Sequence, residues 1–224
     1  MALTRIFDEQ ADRYDAWYDT PAGARAFAEE VGALRPLLAG LPRPWLEVGV
    51  GTGRFARTLG VEFGVDPARG PLAIAANRGV RVAIAAGEAL PYPSASLGAV
   101  VLVVTLCFVS DPLGVLREAR RVLRSDGGLV LGVVYAEGPL GQEYQRKAAA
   151  GHPYYRHAHF FTRDELARLL VRAGFRLERS RSALLGAPAS GLLKDINASE
   201  HDGDSPSAGF TALLALPAAV TGRT

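Results

Sequence analysis

Apolar side chains recur with a helical period in the first part of the chain. One helix is predicted from about residue 7 to residue 19. The residues on its apolar face are Phe7, Ala11, Tyr14 and Tyr18. A second helix is predicted to begin at Pro21, whose missing N–H would have no helical partner at that position, and to end at Gly40. Together the two helices would form an N-terminal helical cap over residues 1–40.

Short apolar runs and helical segments alternate in the middle of the chain, over residues 43–135. The segment 97–104 is almost wholly apolar, which is typical of a strand buried on both faces of a sheet. Asp111 and Pro112 favour the N-cap and the first position of a helix. The predicted elements are strands at 45–49, 62–65, 81–85, 97–104 and 129–134, helices at 52–59, 68–77 and from Pro112 onward, and a turn at 126–128.

This alternation predicts an α/β fold in which helices cover both faces of a parallel sheet. Ligands of such sheets bind beyond the carboxyl ends of the strands, where the strand order reverses. The loop that follows the first strand is therefore the expected binding site.

The pattern changes after residue 135. A short helix is predicted at 142–150, and Thr162 begins a capping box that starts another helix. Strands are predicted at 175–182 and 210–216. The segment between them, 186–208, is rich in Gly, Ser, Pro and acidic residues and is predicted to be a mobile loop. We interpret residues 1–224 as a single domain, with a cofactor-binding half at 43–135 and a substrate-side half at 136–224.

Composition excludes several classes of protein. The formal net charge of the 224 residues is +2 and the arginines are scattered, so we expect no nucleic-acid partner. No window approaches eighteen uninterrupted apolar residues, so we expect no membrane span. Cys107 is the only cysteine, which excludes an internal disulfide. With no apolar leader at the N-terminus, the sequence predicts a cytoplasmic protein. The oligomeric state is left open.

Three glycines at alternate positions, Gly49, Gly51 and Gly53, follow the first predicted strand. Without Cβ atoms, the backbone of such a turn can approach a ligand closely, and the next helix directs its free N–H groups at it. The turn satisfies the dinucleotide pattern G-x-G-x-x-G/A, with Asp66 as the ribose-binding acid. However, Glu47 inside the strand would repel a pyrophosphate. An acid there suits a cofactor that carries an amino group and a sulfonium cation.

Residues 46–56 resemble motif I of the class I S-adenosylmethionine-dependent methyltransferases. Four further segments resemble this family in the same order, and the first of them is similar to its small-molecule, quinone-biosynthesis-like (type 11) branch. These segments are the aromatic helix at 7–18, the strand end at 64–67, the adenine-flanking loop at 86–92 and the turn at 121–128. The resemblance implies a Rossmann-like fold with a seven-stranded, mostly parallel sheet and an N-terminal helical lid. The final hairpin would contain the one antiparallel strand.

The same resemblance implies S-adenosylmethionine as the cofactor. Glu47 would hold its amino group, directly or through water, and Asp66 would accept hydrogen bonds from its two ribose hydroxyls. Ala86 stands where the family has an adenine-side Asp, so backbone groups and Glu88 would recognise the adenine. The implied cofactor-binding residues are Tyr14, Glu47, Gly49, Val50, Gly51, Gly53, Asp66, Pro67, Gly87, Glu88, Ala89, Leu90, Thr105 and Leu106.

The methyl acceptor is not indicated by any motif. We expect a small molecule, because segment 105–108 replaces the N-P-P-[YF] tetrapeptide of macromolecular methyltransferases. The candidates for a proton-accepting role are His152, Tyr155, His157 and Tyr18. A surface loop is the alternative interpretation of the histidine segment, and its spacing matches no standard metal site. Two other functions stay open, namely an NAD(P)-binding oxidoreductase and a non-catalytic S-adenosylmethionine-binding protein.

Overall fold

The computed structural model describes residues 2–185 and 201–219. The helices in this part of the chain are α1 (Ala2–Glu9), α2 (Ala11–Trp17), α3 (Pro21–Leu38), α4 (Arg54–Leu59), α5 (Arg69–Asn77), α6 (Pro112–Val122), α7 (Pro139–Ala149) and α8 (Arg163–Arg172). The strands are β1 (Trp45–Val48), β2 (Phe63–Asp66), β3 (Arg81–Ile84), β4 (Leu97–Val103), β5 (Leu123–Val133), β6 (Phe175–Leu185), β7 (His201–Asp202) and β8 (Ala208–Pro217).

All the strands belong to one sheet, in the order β3-β2-β1-β4-β5-β8-β6-β7. The first five strands of this order pair in parallel. β8 runs antiparallel to both of its neighbours, β5 and β6, as predicted for the final hairpin. It is not the one antiparallel strand, because β7 also runs antiparallel to β6. The seven predicted strands are present, and the two-residue strand β7 adds an eighth at the edge. The strand order reverses between β1 and β4, which places the switch point beside the glycine turn.

Two apolar layers cover the sheet, one on each face. Side chains of β4 alternate between the layers, and every residue of this strand is buried, as the apolar run predicted. Leu34 and Leu37 of α3 pack into one layer. Leu116 of α6 and Leu170 of α8 pack into the other. Because α3 packs on the sheet, only α1 and α2 are left to form the lid, a name kept below for these two helices.

The structure differs from the sequence-based boundaries at three places. The single helix predicted at 7–19 is two helices, because Gln10 leaves the helical region with φ −119° and ψ 14°. The turn predicted at 126–128 lies inside β5, where four residues between Leu123 and Gly128 face one residue of β4. Of the predicted mobile loop 186–208, residues 186–200 lie outside the described part of the chain. The rest of that loop includes β7 and the first residue of β8.

No helix in the described part of the chain combines the length and the apolar character needed to cross a membrane.

Candidate functional site

The glycine turn connects β1 to α4 at the switch point of the sheet. The N–H groups of Gly49 and Val50 both donate to the carbonyl of Val65 in β2, at 2.8 and 3.0 Å. Gly49 has φ +72° and Gly51 has φ +52°, values in the left-handed region that favours glycine. A Cβ at Gly49 would lie 2.3 Å from the side chain of Thr105, whereas a Cβ at Gly51 would meet nothing within 4 Å. The Gly51 backbone is therefore bare toward the space above the sheet.

Asp66 ends β2 directly beside this turn. Its carboxylate accepts hydrogen bonds from the backbone N–H of Gly51 at 3.0 Å and from that of Ala68 at 2.9 Å. Each oxygen accepts one of these bonds, so each keeps capacity for another donor. Burial raises the pKa of Asp66. The carboxylate is thus fixed in orientation and able to accept two adjacent hydroxyl groups.

A cavity of about 1110 Å³ opens above the carboxyl ends of the parallel strands. Eight of the fourteen predicted cofactor-binding residues line it, together with three of the four candidates for proton transfer. The lining residues among those predicted are Tyr14, Gly49, Gly51, Asp66, Pro67, Gly87, Glu88 and Thr105, and then Tyr18, His152 and Tyr155. The structure therefore brings both predicted groups to one place.

Six predicted cofactor-binding residues do not line the cavity. Val50 packs against Gly64, and a Cβ at Gly53 would lie 2.8 Å from Ala75. Both residues therefore face the protein interior and hold the turn in place. Leu90 and Leu106 are buried in the apolar layer that α6 and α8 cover. Glu47 and Ala89 complete the six. Their contribution to binding stays a prediction.

Glu47 is almost fully buried beneath the glycine turn. Burial raises the pKa of its carboxyl well above the usual range, and a hydrogen bond from the backbone of Ala56 in α4 opposes this rise. Its Oε2 atom has no hydrogen-bond partner among the residues that the structure describes. The contact with the first turn of α4 is the one expected of an acid that caps a helix.

Aromatic rings of the lid cover one side of the cavity. Tyr14 and Trp17 each keep 41% of their surface exposed, and both line the cavity. The hydroxyl groups of Tyr14 and Tyr18 are hydrogen-bonded at 3.0 Å. The ring of Tyr18 packs edge-on against Phe27 of α3, with 5.6 Å between centroids. The predicted lid thus presents aromatic faces to whatever the cavity holds.

The histidine segment is divided between the cavity and the surface. His152 lines the cavity, its ring stacks on Tyr155 at 4.5 Å, and its Nδ1 is buried without a partner among the described residues. Burial lowers the pKa of His152, with further lowering by Lys147. His157 is exposed, does not line the cavity and accepts a hydrogen bond from Arg156 at 3.0 Å.

An ion-pair cluster that the sequence did not indicate fastens the lid to the glycine turn. The carboxylate of Asp15 in α2 accepts hydrogen bonds from Arg54 at 2.8 and 2.9 Å, from Arg78 at 2.9 and 2.7 Å and from the Thr52 hydroxyl at 2.6 Å. Although partial burial raises the pKa of Asp15, the hydrogen bonds from Arg54, Arg78 and Thr52 hold it well below its usual value. No single motif contains this cluster, since Asp15 lies in the segment 7–18, Thr52 and Arg54 lie in the segment 46–56, and Arg78 lies in neither.

A second missed residue is Glu30, an acid of α3 that lines the cavity. Burial raises the pKa of Glu30 to about 8, and the adjacent charge of Glu29 adds to this effect. Two consecutive acids in a helix are typical of a solvated face, so the sequence does not predict that Glu30 lines the cavity. It shares the cavity wall with Tyr14 of α2 and Tyr144 of α7, which are distant in sequence.

The residues above the sheet fit S-adenosylmethionine. The bare backbone at Gly51 leaves room for a ligand, and Asp66 offers two acceptors to a ribose diol. Aromatic faces at Tyr14 and Trp17 attract cations such as a sulfonium. In the described part of the chain, no group of three or more His, Cys, Asp or Glu residues could hold a metal ion.

Comparison with known proteins agrees with this geometry. A family model described as a methyltransferase domain matches residues 46–131. An uncharacterized protein of Mycobacterium tuberculosis is 50% identical over 96% of this chain and 75% of its own length.

Two solved structures share the fold. A structure from Thermotoga maritima, described as an S-adenosylmethionine-dependent methyltransferase and a possible histamine N-methyltransferase, has a TM-score of 0.83. It is 32% identical, over 94% of this chain and 98% of that one. The CcbJ methyltransferase of Streptomyces caelestis has a TM-score of 0.62 at 20% identity, over 95% and 97% of the two chains, which shows the fold alone. On the strength of the Thermotoga relative, the chain belongs to the class I S-adenosylmethionine-dependent methyltransferases.

Proposed function

We propose that the chain transfers the methyl group of S-adenosylmethionine to a small molecule that binds in the same cavity. The observation that carries this proposal is the extent of the cavity, which reaches from Asp66 and Gly51 to Tyr144 and Phe160. Its volume of about 1110 Å³ is at or above the upper end of the range for one small ligand, roughly 300–1,000 Å³. There is room for an acceptor beside the cofactor.

The order of strands divides the cavity into two ends. Asp66 ends β2 and Gly87 follows β3, both on one side of the switch point, and we name this the cofactor end. Val134 follows β5 on the other side, where Leu140 and Tyr144 of α7 also line the wall, and we name this the acceptor end. Thr105, just after β4, lies between them and would face the transferred group.

S-adenosylmethionine supplies a methyl group on a positively charged sulfur that is already a good leaving group. The chain's own contribution is to align the reactants in line and to exclude water, which can lower a barrier by up to roughly 7–11 kcal/mol. Gly51 and Asp66 would hold the cofactor, and Tyr14 and Trp17 would shield it. Tyr18, His152 and Tyr155 line the cavity within reach of an acceptor and stay candidates for proton transfer.

Two alternatives use the same site. An NAD(P)-binding oxidoreductase is disfavoured because both the matching family model and the Thermotoga relative are described as methyltransferases. A non-catalytic protein would bind S-adenosylmethionine without an acceptor, which leaves the aromatic acceptor end without a role. Both are therefore less well supported than methyl transfer.

Thermal unfolding with added ligands separates these functions. S-adenosylhomocysteine at about 100 times its dissociation constant would stabilise the fold by about 2.7 kcal/mol. For a chain of this length that corresponds to a rise in Tm of roughly 5–10 °C. We expect this rise with S-adenosylhomocysteine and none with NAD at the same concentration; the reverse result would overturn the proposal. Formation of S-adenosylhomocysteine from S-adenosylmethionine, with histamine as the first acceptor tried, would distinguish catalysis from binding alone.

A further inference from the structure

The acceptor end of the cavity holds one acid, Glu30, among aromatic and apolar side chains, with Lys147 of α7 and His152 as further polar residues of the cavity wall. Of the residues that the structure describes, three acids line the whole cavity, namely Glu30, Asp66 and Glu88. Asp66 and Glu88 belong to the cofactor end, at β2 and after β3. Glu30 comes from α3 and is the acid that remains for an acceptor.

Aromatic side chains from three segments surround Glu30. Burial raises the pKa of the phenols of Tyr14, Tyr18 and Tyr144, and the nearby charge of Glu30 contributes to the rise in all three. Glu30 of α3, Tyr14 of α2 and Tyr144 of α7 all line the same cavity, which is the geometry that brings this acid and these rings together. Tyr155 extends the same wall, with its ring stacked on Tyr144 at 4.2 Å.

The Glu30 carboxyl has no use within the fold itself. Its neighbour Glu29 accepts a hydrogen bond from the backbone of Leu184 at 3.1 Å and pairs with Arg25. No hydrogen bond or ion pair of that kind involves Glu30 among residues 2–185 and 201–219. Glu30 is half-buried, and a carboxyl in the wall of a ligand cavity without a partner in the fold points to a ligand that supplies the hydrogen-bond donor.

The chemistry of such a partner follows from its surroundings. A carboxylate takes a hydrogen-bond donor and prefers a cationic one, and aromatic faces also attract cations. Phe160 and Leu140 complete a wall that suits an apolar or aromatic body. We propose that the methyl acceptor is a primary or secondary amine on an apolar or aromatic body, and that Glu30 binds its nitrogen and accepts its proton. This assignment rests on the proposed function, since it concerns the acceptor of the same reaction.

An amine needs such a base because an ammonium nitrogen has no lone pair. One N–H bond of the bound ammonium breaks, the proton passes to a Glu30 carboxylate oxygen, and the electron pair stays on nitrogen as the nucleophile. The overall reaction converts a primary ammonium and S-adenosylmethionine into an N-methylammonium, S-adenosylhomocysteine and one proton, so atoms and charge balance. Burial raises the pKa of Glu30 to about 8, which brings it closer to that of an alkylamine and favours this proton transfer.

Calorimetric titration of the full chain saturated with S-adenosylhomocysteine tests the assignment. The probes are histamine and 2-phenylethylamine, with 2-phenylethanol and phenylacetate as neutral and anionic analogues of the second amine. The variants are Glu30→Gln, Glu30→Asp and, as a control for loss of one negative charge, the exposed Glu178→Gln. Titrations near pH 8 keep a share of Glu30 ionised.

We expect at least one of the two amines to bind the wild-type chain, and 2-phenylethylamine to bind at least about ten-fold more tightly than 2-phenylethanol. Glu30→Gln should lower the amine affinity at least about ten-fold, Glu30→Asp less, and Glu178→Gln not at all. Binding of S-adenosylhomocysteine should stay unchanged in all three variants, which shows that each of them is folded.

Equal binding of amine and alcohol, no binding of either amine, or full amine affinity in Glu30→Gln would each overturn the amine assignment. In those cases S-adenosylhomocysteine still binds and the proposed function stands. Failure of the wild-type chain to bind S-adenosylhomocysteine would instead overturn the proposed function, and the amine assignment with it.

Discussion

Single atoms decide the shape of the glycine turn. Gly49 and Gly40 both have φ in the left-handed region, at +72° and +85°. They differ in their surroundings, because a Cβ at Gly49 would lie 2.3 Å from Thr105 and a Cβ at Gly40 would meet nothing within 4 Å. An alanine at Gly40 would meet backbone strain alone, whereas an alanine at Gly49 would meet backbone strain and a clash with Thr105.

Substitution of each glycine by alanine tests this difference. Gly40→Ala should lower the free energy of unfolding by about 1–2 kcal/mol, the usual cost of a left-handed alanine. Gly49→Ala should cost a further 1–3 kcal/mol or so, because Thr105 or the turn must move. Urea unfolding measures both values. Equal losses in the two variants would show that Thr105 does not confine Gly49.

Glu30 has a second consequence, for stability against pH. The groups that act on its carboxyl electrostatically are Glu29 of the same helix and the phenols of Tyr14, Tyr18 and Tyr144. Its pKa is about 8 in the folded chain and 4.5 as an isolated group. Because the folded pKa is raised, the stability that this group contributes is full below about pH 4.5 and is lost as pH rises toward 8.

Glu30→Gln removes this pH dependence. The variant should gain stability relative to the wild-type chain as pH rises from 5 to 8, at up to about 1.4 kcal/mol per pH unit. The comparison cancels Glu47, which is present in both chains. Chemical denaturation at pH 5, 6, 7 and 8 measures the difference. A difference that does not change with pH would show that Glu30 ionises normally.

At the scale of elements, the lid is held by charge as well as by packing. Asp15 of α2 binds Arg54 at the start of α4 and Arg78 at the end of α5. Both arginines flank the glycine turn, so the position of the lid and the shape of the turn are coupled. Asp8 of α1 adds a further tie, since it accepts a hydrogen bond from the backbone of Gly70 at 2.8 Å.

Asp15→Asn should loosen the lid without unfolding the sheet. Exposed ion pairs contribute up to about 1 kcal/mol and buried ones break at a cost of roughly 3–5 kcal/mol; this cluster is half-buried. We expect dissociation of S-adenosylhomocysteine to accelerate about ten-fold, as measured by stopped-flow fluorescence of the lid residue Trp17. Asp12→Asn, an exposed acid of the same helix, is the matched control. Similar dissociation rates in the two variants would show that Asp15 does not hold the lid closed over the ligand.

The pH dependence of the same cluster follows from its depressed pKa. A carboxyl whose pKa is lowered on folding contributes stability that is present above its unfolded value, near 3.8, and is lost as pH falls below it. The cluster should therefore stay intact at neutral and mildly acidic pH.

The order of strands and helices was predictable because their apolar periods are strong. The predicted strand 97–104 agrees with β4 within one residue. The predicted capping box is also present, and in it the backbone N–H of Thr162 donates to the carboxylate of Glu165 at 2.8 Å. The break between α1 and α2 at Gln10 was not predictable, because Phe7 and Tyr14 lie on one apolar face whether the segment forms one helix or two.

The candidate site divides in the same way. Gly51 and Asp66 were predictable because the turn chemistry is written into adjacent residues. Glu30 and Asp15 were not, because their roles depend on which helices meet across the cavity. Local sequence patterns therefore predict residues of the cofactor end. The composition of the acceptor end depends instead on how α2, α3 and α7 are arranged in the folded chain.

At the scale of the whole molecule, the sheet topology explains how one cavity would hold both ligands of the proposed reaction. The reversal of strand order between β1 and β4 opens the space, and the lid closes it from above. The relative from Mycobacterium tuberculosis shares 50% of residues over nearly the whole chain, so the same test applies to it.

The central claim, that this cavity binds S-adenosylmethionine through Asp66, is tested by calorimetric titration with S-adenosylhomocysteine. We predict one site per chain in the wild-type protein. Asp66→Ala should weaken binding by about 3 kcal/mol, or about 100-fold, because two hydrogen bonds to a charged group are lost. Asp126→Ala, at an exposed acid of β5, should bind normally. No heat of binding in the wild-type chain, or unchanged affinity in a folded Asp66→Ala variant, would contradict it.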